Sequence, residues 1–319
     1  MTLADTISVH SVVCCWLLPA VLVALTTLFP LSNTGHPYRR SLQSGSALLL
    51  CHVFFASFAS WPTALRHRLS RAFRRGFLSY FTIEHKTPSV VVSTQEWQRP
   101  QVILTGPHGV FNMCGIASIL TEDQTDKQLV CAIAPVMVYT WFEPILHMAG
   151  SMGMIPLRHA AINKEMTAAA RDLMVIPGGF VETNTGNEHF ATMDESKWDY
   201  WLLQCLRYGY DASFQWIHGG TQVYHTGRSF MDTRLAAGRL GIPCVLPYGR
   251  WGTPLARNTV PFSVAGFRVP VDRVEGVTRD SKEFLALRGE FRVRVEDLLR
   301  TYPPDKVKGQ CGLRRISRM

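Results

Sequence analysis

Two apolar stretches without a charge stand close together early in the sequence. Residues 12–31 read VVCCWLLPAVLVALTTLFPL and residues 45–61 read GSALLLCHVFFASFASW. The first has the roughly twenty residues that a bilayer-spanning helix needs, and the second is near the lower limit. A short polar loop carrying Arg39 and Arg40 joins them. The pair predicts a membrane hairpin, either spanning or re-entrant. Pro19 and Pro30 bend or end such helices but are tolerated in them. A cleaved secretory signal fits poorly, because the flank MTLADTISVH holds an acid and no Lys or Arg. Burial of both stretches as core helices of a soluble protein is the remaining alternative.

A basic helix is expected next. TALRHRLSRAFRRGF holds Arg66, Arg68, Arg71, Arg74 and Arg75, while Leu65, Leu69, Phe73 and Phe77 recur on one helical face. That pattern suits a helix lying on a membrane surface. Its charge favours the cytosolic side, although Arg39 and Arg40 weaken the bias. Part of the formal net charge of +9 is thereby accounted for. A nucleic-acid partner is not expected, since no zinc-finger spacing, single-strand clamp or Lys-rich tail is present. The eight cysteines form no C-x-x-C pair, and Cys51, Cys131 and Cys244 stand in apolar runs. Buried free thiols are therefore expected, not a disulfide framework or a metal site.

Beyond about residue 80 short apolar runs alternate with helical patterns. Strands are expected at 101–105, 130–134, 173–177, 213–217 and 242–247, and helices at 140–151, 161–171, 196–208 and 281–300. This alternation predicts an α/β fold, a mostly parallel mixed sheet flanked by helices. Residues 1–79 would then form the hairpin and basic helix, and residues 80–319 one catalytic unit. Segment 248–278, rich in Gly, Pro and Arg, is expected to wrap as loops and short strands.

Three of the strands run into glycine-rich turns, LTGPHG, VIPGGF and QWIHGG. Ligands in such folds bind at the carboxyl ends of strands, where glycine lets the backbone approach them. No dinucleotide or P-loop fingerprint is present, and no G-x-S-x-G elbow. His108 stands in the first turn, where an imidazole can take a proton from a hydroxyl near neutral pH; a turn histidine without a role is the alternative. Glu182 follows the second turn and either orients the imidazole or caps a helix. Arg158 ends GSMGMIPLR and reads equally as a phosphate clamp or as a helix-start arginine. His218, Tyr224 and His225 cluster after the third turn; a zinc site there would lack identifiable further ligands. Cys114, six residues past His108, reads as core packing.

Taken together, these stretches resemble the diacylglycerol acyltransferase 2 family, which includes monoacylglycerol and wax-ester acyltransferases. GPHGVFNMCG is similar to the family's His-Pro-His-Gly block, with Gly106 in place of the first histidine. WFEPILHMAGSMGMIPLR carries Glu143, Gly153, Pro156 and Arg158 in family positions. IPGGFVETN matches at Gly178, Gly179 and Glu182. YGYDASFQWIHGGTQVY retains a glycine and Tyr224, but Thr221 replaces an acid. RWGTPLARNTVPFSVAGFRVPV is similar to the late segment ending in a Val-Gly-x-Pro-Ile turn.

The resemblance implies acyl transfer from acyl-CoA to the hydroxyl of diacylglycerol, forming triacylglycerol and CoA. It implies His108 and Glu182 as catalytic residues. Pro107, Gly109, Asn112, Glu143, Arg158, Gly178, Gly179 and Tyr224 would bind substrate or CoA. No metal or cofactor is implied, acyl-CoA being a substrate. Partners would be acyl-CoA, a neutral lipid and the endoplasmic reticulum membrane, with lipid droplets a second location and a homodimer the simplest assembly. Monoacylglycerol, a long-chain alcohol or a sterol is the alternative acceptor. A catalytically inactive membrane scaffold is the reading of another class.

Overall fold

The computed structural model describes residues 68, 71–72, 75, 78–81, 83–87, 99–106, 129–134, 152–168, 171–185, 195–226, 230–242, 244, 247–248, 257 and 262–302. Residues 12–31, 45–61 and the expected helix at 140–151 lie outside them. Within the expected basic helix, Arg68, Arg71 and Arg75 are helical and exposed. Their spacing puts them on one helical face; the apolar positions Leu65, Leu69, Phe73 and Phe77 lie outside the described residues. Among the described residues no helix is long and apolar enough to cross a membrane.

The strands are β1 (Ile83–His85), β2 (Gln101–Gly106), β3 (Leu129–Ile133), β4 (Met152–Pro156), β5 (Asp172–Val175), β6 (Asp211–His218), β7 (His225–Thr226), β8 (Pro247–Tyr248) and β9 (Phe262–Val269). Seven form one mixed sheet in the order β1-β9-β6-β2-β5-β3-β4. The five strands from β6 to β4 are mutually parallel, while β9 runs antiparallel to β6 and parallel to β1. β7 and β8 form a separate antiparallel pair. The expected α/β fold with a mostly parallel mixed sheet is therefore present.

Two strand-helix-strand units set the layers. β4 leads to β5 through α1 (His159–Ala168). β5 leads to β6 through α2 (Gly179–Thr185) and α3 (Glu195–Tyr208). Both steps move the same way along the sheet, each passing one strand. Right-handed crossovers then put both connections on one face. The core agrees: Ile162 and Met166 of α1 and Trp198, Trp201, Leu202 and Leu206 of α3 pack with Val102, Leu104, Val130, Leu173, Val175 and Phe214. After β9 the chain returns to this face as α5 (Lys282–Thr301), which buries Phe284, Leu287, Phe291, Val295 and Leu298 at helical spacing. Phe291 meets Phe214 at 6.1 Å and Phe267 at 5.2 Å between ring centroids.

Three expectations are corrected. Of the described residues in 242–247, Ile242 and Cys244 are exposed and outside any strand, and Pro247 opens β8, which pairs with β7. The prolines at 243 and 247 cannot donate to a ladder. Cys244 is consequently an exposed thiol, not a buried one, whereas Cys131 and Cys205 are buried and free as expected. Segment 248–278 is not only loops and short strands, because β9 runs for eight residues inside the main sheet.

Candidate active site

Strands β6, β2 and β5 are neighbours, and their carboxyl ends carry the three glycine turns. Gly106 pairs in register with Trp216 of β6, and Leu104 with Val175 of β5. The turns therefore leave the same edge of the sheet from adjacent strands about 4.8 Å apart. From β2 the chain goes on to β3, on one side, and from β5 it goes to β6, on the other. The two connections thus cross the sheet in opposite directions, each passing the other's strand. His108 follows Gly106 by two residues in the sequence. Pro107, His108, Gly109, Asn112, Cys114 and Glu143 themselves lie outside the described residues.

The second turn is built around Glu182. Helix α2 starts at Gly179, whose φ of 51° is left-handed, and Glu182 stands in its first turn, buried. The carboxylate folds back over the backbone of Gly178. A methyl group on Gly178 would overlap Glu182 Oε2 and come within 2.8 Å of its Cβ and 2.9 Å of its Cδ. Only glycine leaves that space, so Gly178 and Glu182 form one device that seats an acid at the end of β5. Both sequence alternatives for Glu182 are touched by this placement: it occupies a first helical turn, and it sits beside the strand leading to His108.

Asn184 braces the same turn from behind. It is fully buried and donates through Nδ2 to the carbonyls of Arg234 (2.7 Å) and Ile242 (2.9 Å), while its Oδ1 accepts from the backbone N–H of Cys244 (2.8 Å). Arg234 belongs to α4 (Met231–Arg239), which lies tightly against α2. At Gly238 an added Cβ would stand 2.9 Å from the carbonyl oxygen of Phe180 and 3.0 Å from Val181 Cα. Sequence reasoning singled out neither Asn184 nor Gly238, and no motif signals them.

In the third turn Gly219 has φ 78°, a conformation that side chains resist. A short 3-10 turn, Gly220–Gln222, returns the chain, and Tyr224 is buried at its end. His218 is half-buried, edge-on to Trp216 at 5.8 Å. Arg158 is separated from this group. Its side chain is exposed and its carbonyl accepts from Ile162 N (3.0 Å), which starts α1. It follows β4, the far edge strand, with β3 between β4 and β5. Strand spacing puts it about 10 Å from the end of β5. The sheet thus brings Gly178, Gly179 and Glu182 to the end of β5 on one side of β2 and Tyr224 beyond the end of β6 on the other, while Arg158 follows the edge strand β4.

Among the described residues no group of three or more His, Cys, Asp or Glu stands together to hold a metal ion. The arrangement offers a buried carboxylate and glycine backbone at one sheet edge, which is equipment for moving a proton and receiving developing negative charge. Compared with family models, curated proteins and solved structures, the chain matches none.

Proposed function

We propose that the protein is an acyl-CoA-dependent O-acyltransferase that esterifies the hydroxyl of diacylglycerol. The observation that carries the reading is the adjacency of three strand ends, from β6, β2 and β5, which bear the turns of the His108, Glu182 and Tyr224 blocks. In this reading His108 removes the proton from the lipid hydroxyl. The oxygen attacks the thioester carbonyl carbon, and backbone N–H groups of the glycine turns hold the resulting negative charge. The C–S bond breaks, the carbonyl re-forms, and the thiolate takes the proton from the imidazolium. Glu182 stabilises the charged imidazole. Arg158, exposed at the rim, suits the phosphates of CoA better than the reacting atoms. The apolar stretches and the Arg68, Arg71 and Arg75 face hold the catalytic edge at the cytosolic side of the endoplasmic reticulum membrane, where acceptor and product dissolve.

The test uses full-length protein in lipid vesicles with labelled oleoyl-CoA and a panel of diolein, monoolein, hexadecanol and cholesterol. Triolein is the expected main product, and His108→Ala should lower its rate by roughly 10²–10⁴-fold. Preference for another acceptor on the panel would reassign the substrate. No transfer to any of them would leave the scaffold reading, and full activity of His108→Ala would refute the mechanism.

A further inference from the structure

The sheet face turned away from α1, α3 and α5 carries polar side chains across β2 and β6. Gln101 donates through Nε2 to Asp172 Oδ2 (3.0 Å) and accepts on Oε1 from Ser213 Oγ (2.6 Å). Nearer the carboxyl edge, Thr105 Oγ1 donates to Gln215 Oε1 (3.3 Å). Gln101 thus uses both ends of its amide, and Gln215 does not. Gln215 is fully buried, and its Nε2 has no hydrogen-bond partner. A buried N–H left unpaired costs about as much as a lost hydrogen bond, so folds rarely keep one that nothing fills.

Its surroundings define the chemistry that suits it. Thr105 stands across β2 and Gly266 across β9, and Ser213 and Ile217 share the face along its own strand. None of the four is charged. Arg268, the cation nearby on β9, is held by Asp211 at 2.8 Å. Gly266 puts no side chain beside the amide and is itself half-buried. Thr105 immediately precedes Gly106, from which the chain enters the His108 turn.

We infer that Gln215 is a substrate-binding residue whose Nε2 donates to an ester carbonyl oxygen of the diacylglycerol, reached over Gly266. Thr105 fixes the amide by occupying Oε1 and leaves the donor end for the ligand. The inference rests on the acyl-acceptor reading above and adds which group of the acceptor is recognised. A phosphate is the wrong partner, because it would bring charge to a spot faced by no free cation among these residues.

The experiment compares diolein with its dialkyl ether analogue, which keeps the chains and hydroxyl but has no carbonyl. Two readings are taken on full-length protein: thermal stabilisation by each lipid without acyl-CoA, and KM for each in oleoyl transfer. Wild type should favour the ester by about tenfold, the worth of one hydrogen bond. Gln215→Leu should treat both lipids alike, with the ester KM raised to that of the ether. Without lipid it should unfold at a somewhat lower temperature, because the buried Thr105 hydroxyl loses its acceptor. Gly266→Val, on ordinary strand backbone, should raise KM for both lipids. If the leucine variant does not fold, Gln215→Met carries the same test. Ester preference surviving in the variant, or absent from wild type, overturns the inference. Failure of wild type to transfer oleate to either lipid overturns the acyltransferase reading instead, and the stabilisation arm then still decides the role of Gln215.

Discussion

Gly178→Ala is the sharpest perturbation of the candidate site, because one added carbon meets one named side chain. The new Cβ would overlap Glu182 Oε2 and stand 2.8 Å from Glu182 Cβ and 2.9 Å from Cδ. The carboxylate is the end of a flexible side chain and can rotate away. Glu182 Cβ is tied to the first turn of α2 and cannot, so the helix itself must shift by some tenths of an ångström. Overpacking of this kind costs about 1–3 kcal/mol. Catalysis should suffer more than stability: with the carboxylate displaced, Gly178→Ala should lose as much activity as Glu182→Ala, on the order of 10²–10³-fold for a lost charge-stabilising partner. Chemical denaturation and oleoyl transfer to diolein measure the two effects. Of these three contacts, the one at 2.8 Å remains in the Glu182→Ala background. The stability cost of Gly178→Ala should then shrink without vanishing, and its further effect on rate should disappear. Independent, multiplying effects on rate would refute the idea that Gly178 exists to seat Glu182, and so would a Gly178→Ala protein with unchanged activity.

Other outcomes follow from the described contacts. Asn184→Ala removes one buried hydrogen bond to Arg234 and two part-buried ones to Ile242 and Cys244; unfolding should register a loss of about 2–4 kcal/mol. Asp211→Ala strands the buried guanidinium of Arg268, which now binds Oδ2 at 2.8 Å, and should cost about 3–5 kcal/mol in the same assay without altering KM. In native protein at pH 8, a maleimide should label Cys244 and spare Cys131 and Cys205, because burial pushes the Cys131 thiol up to about 12 and that of Cys205 higher still. The same burial fixes an alkaline limit. The unfolded chain ionises these thiols near pH 9 and the folded chain does not, so their stabilising contribution is complete below pH 9 and is lost as pH rises toward 12, measurable as a falling melting temperature.

Strands β2, β3, β5 and β6 are legible in the sequence because central parallel strands are buried on both faces. β2, β3 and β5 therefore appear as largely apolar runs between turns, and β6 as an alternation of Ala212, Phe214 and Trp216 with polar residues. β9 hides for the opposite reason. Its Ser263, Gly266 and Arg268 look like loop residues, yet Arg268 is drawn into the sheet by Asp211. Helix α4 hides because it has no apolar stripe. MDTRLAAGR packs by close backbone approach at Gly238 and by its carbonyl contact with Asn184, neither of which has a hydrophobic signature. The run IPCVLP misleads in the other direction: it is apolar enough for a strand, but its described residues Ile242 and Cys244 are exposed, and the N–H of Cys244 is tethered to Asn184. At the site, the glycine turns were visible as motifs, and their adjacency was not, since strand order is fixed by crossovers no local pattern records. Gln215 was invisible because one amide in a strand reads as its polar alternate position.

The two ends of the sheet use polar residues for different purposes. At the amino edge, charges are matched within the fold. Asp211 is held by Arg268 and by the N–H of Val271, Asp172 receives both donors of Gln101, Arg99 pairs with Asp272, and Glu165 pairs with Arg171. Those groups are complete without a ligand, and changing them should move melting temperature and leave kinetics alone. At the carboxyl edge the strands run out into Gly106, Gly178, Gly179 and Gly219, and Gln215 keeps a buried donor unused. An amide with both ends paired, as in Gln101, would serve stability better at 215. Retaining the amide and the bare flank makes sense when a bound molecule supplies the missing partner, and this asymmetry between the edges is the physical argument for locating substrate chemistry at the carboxyl end.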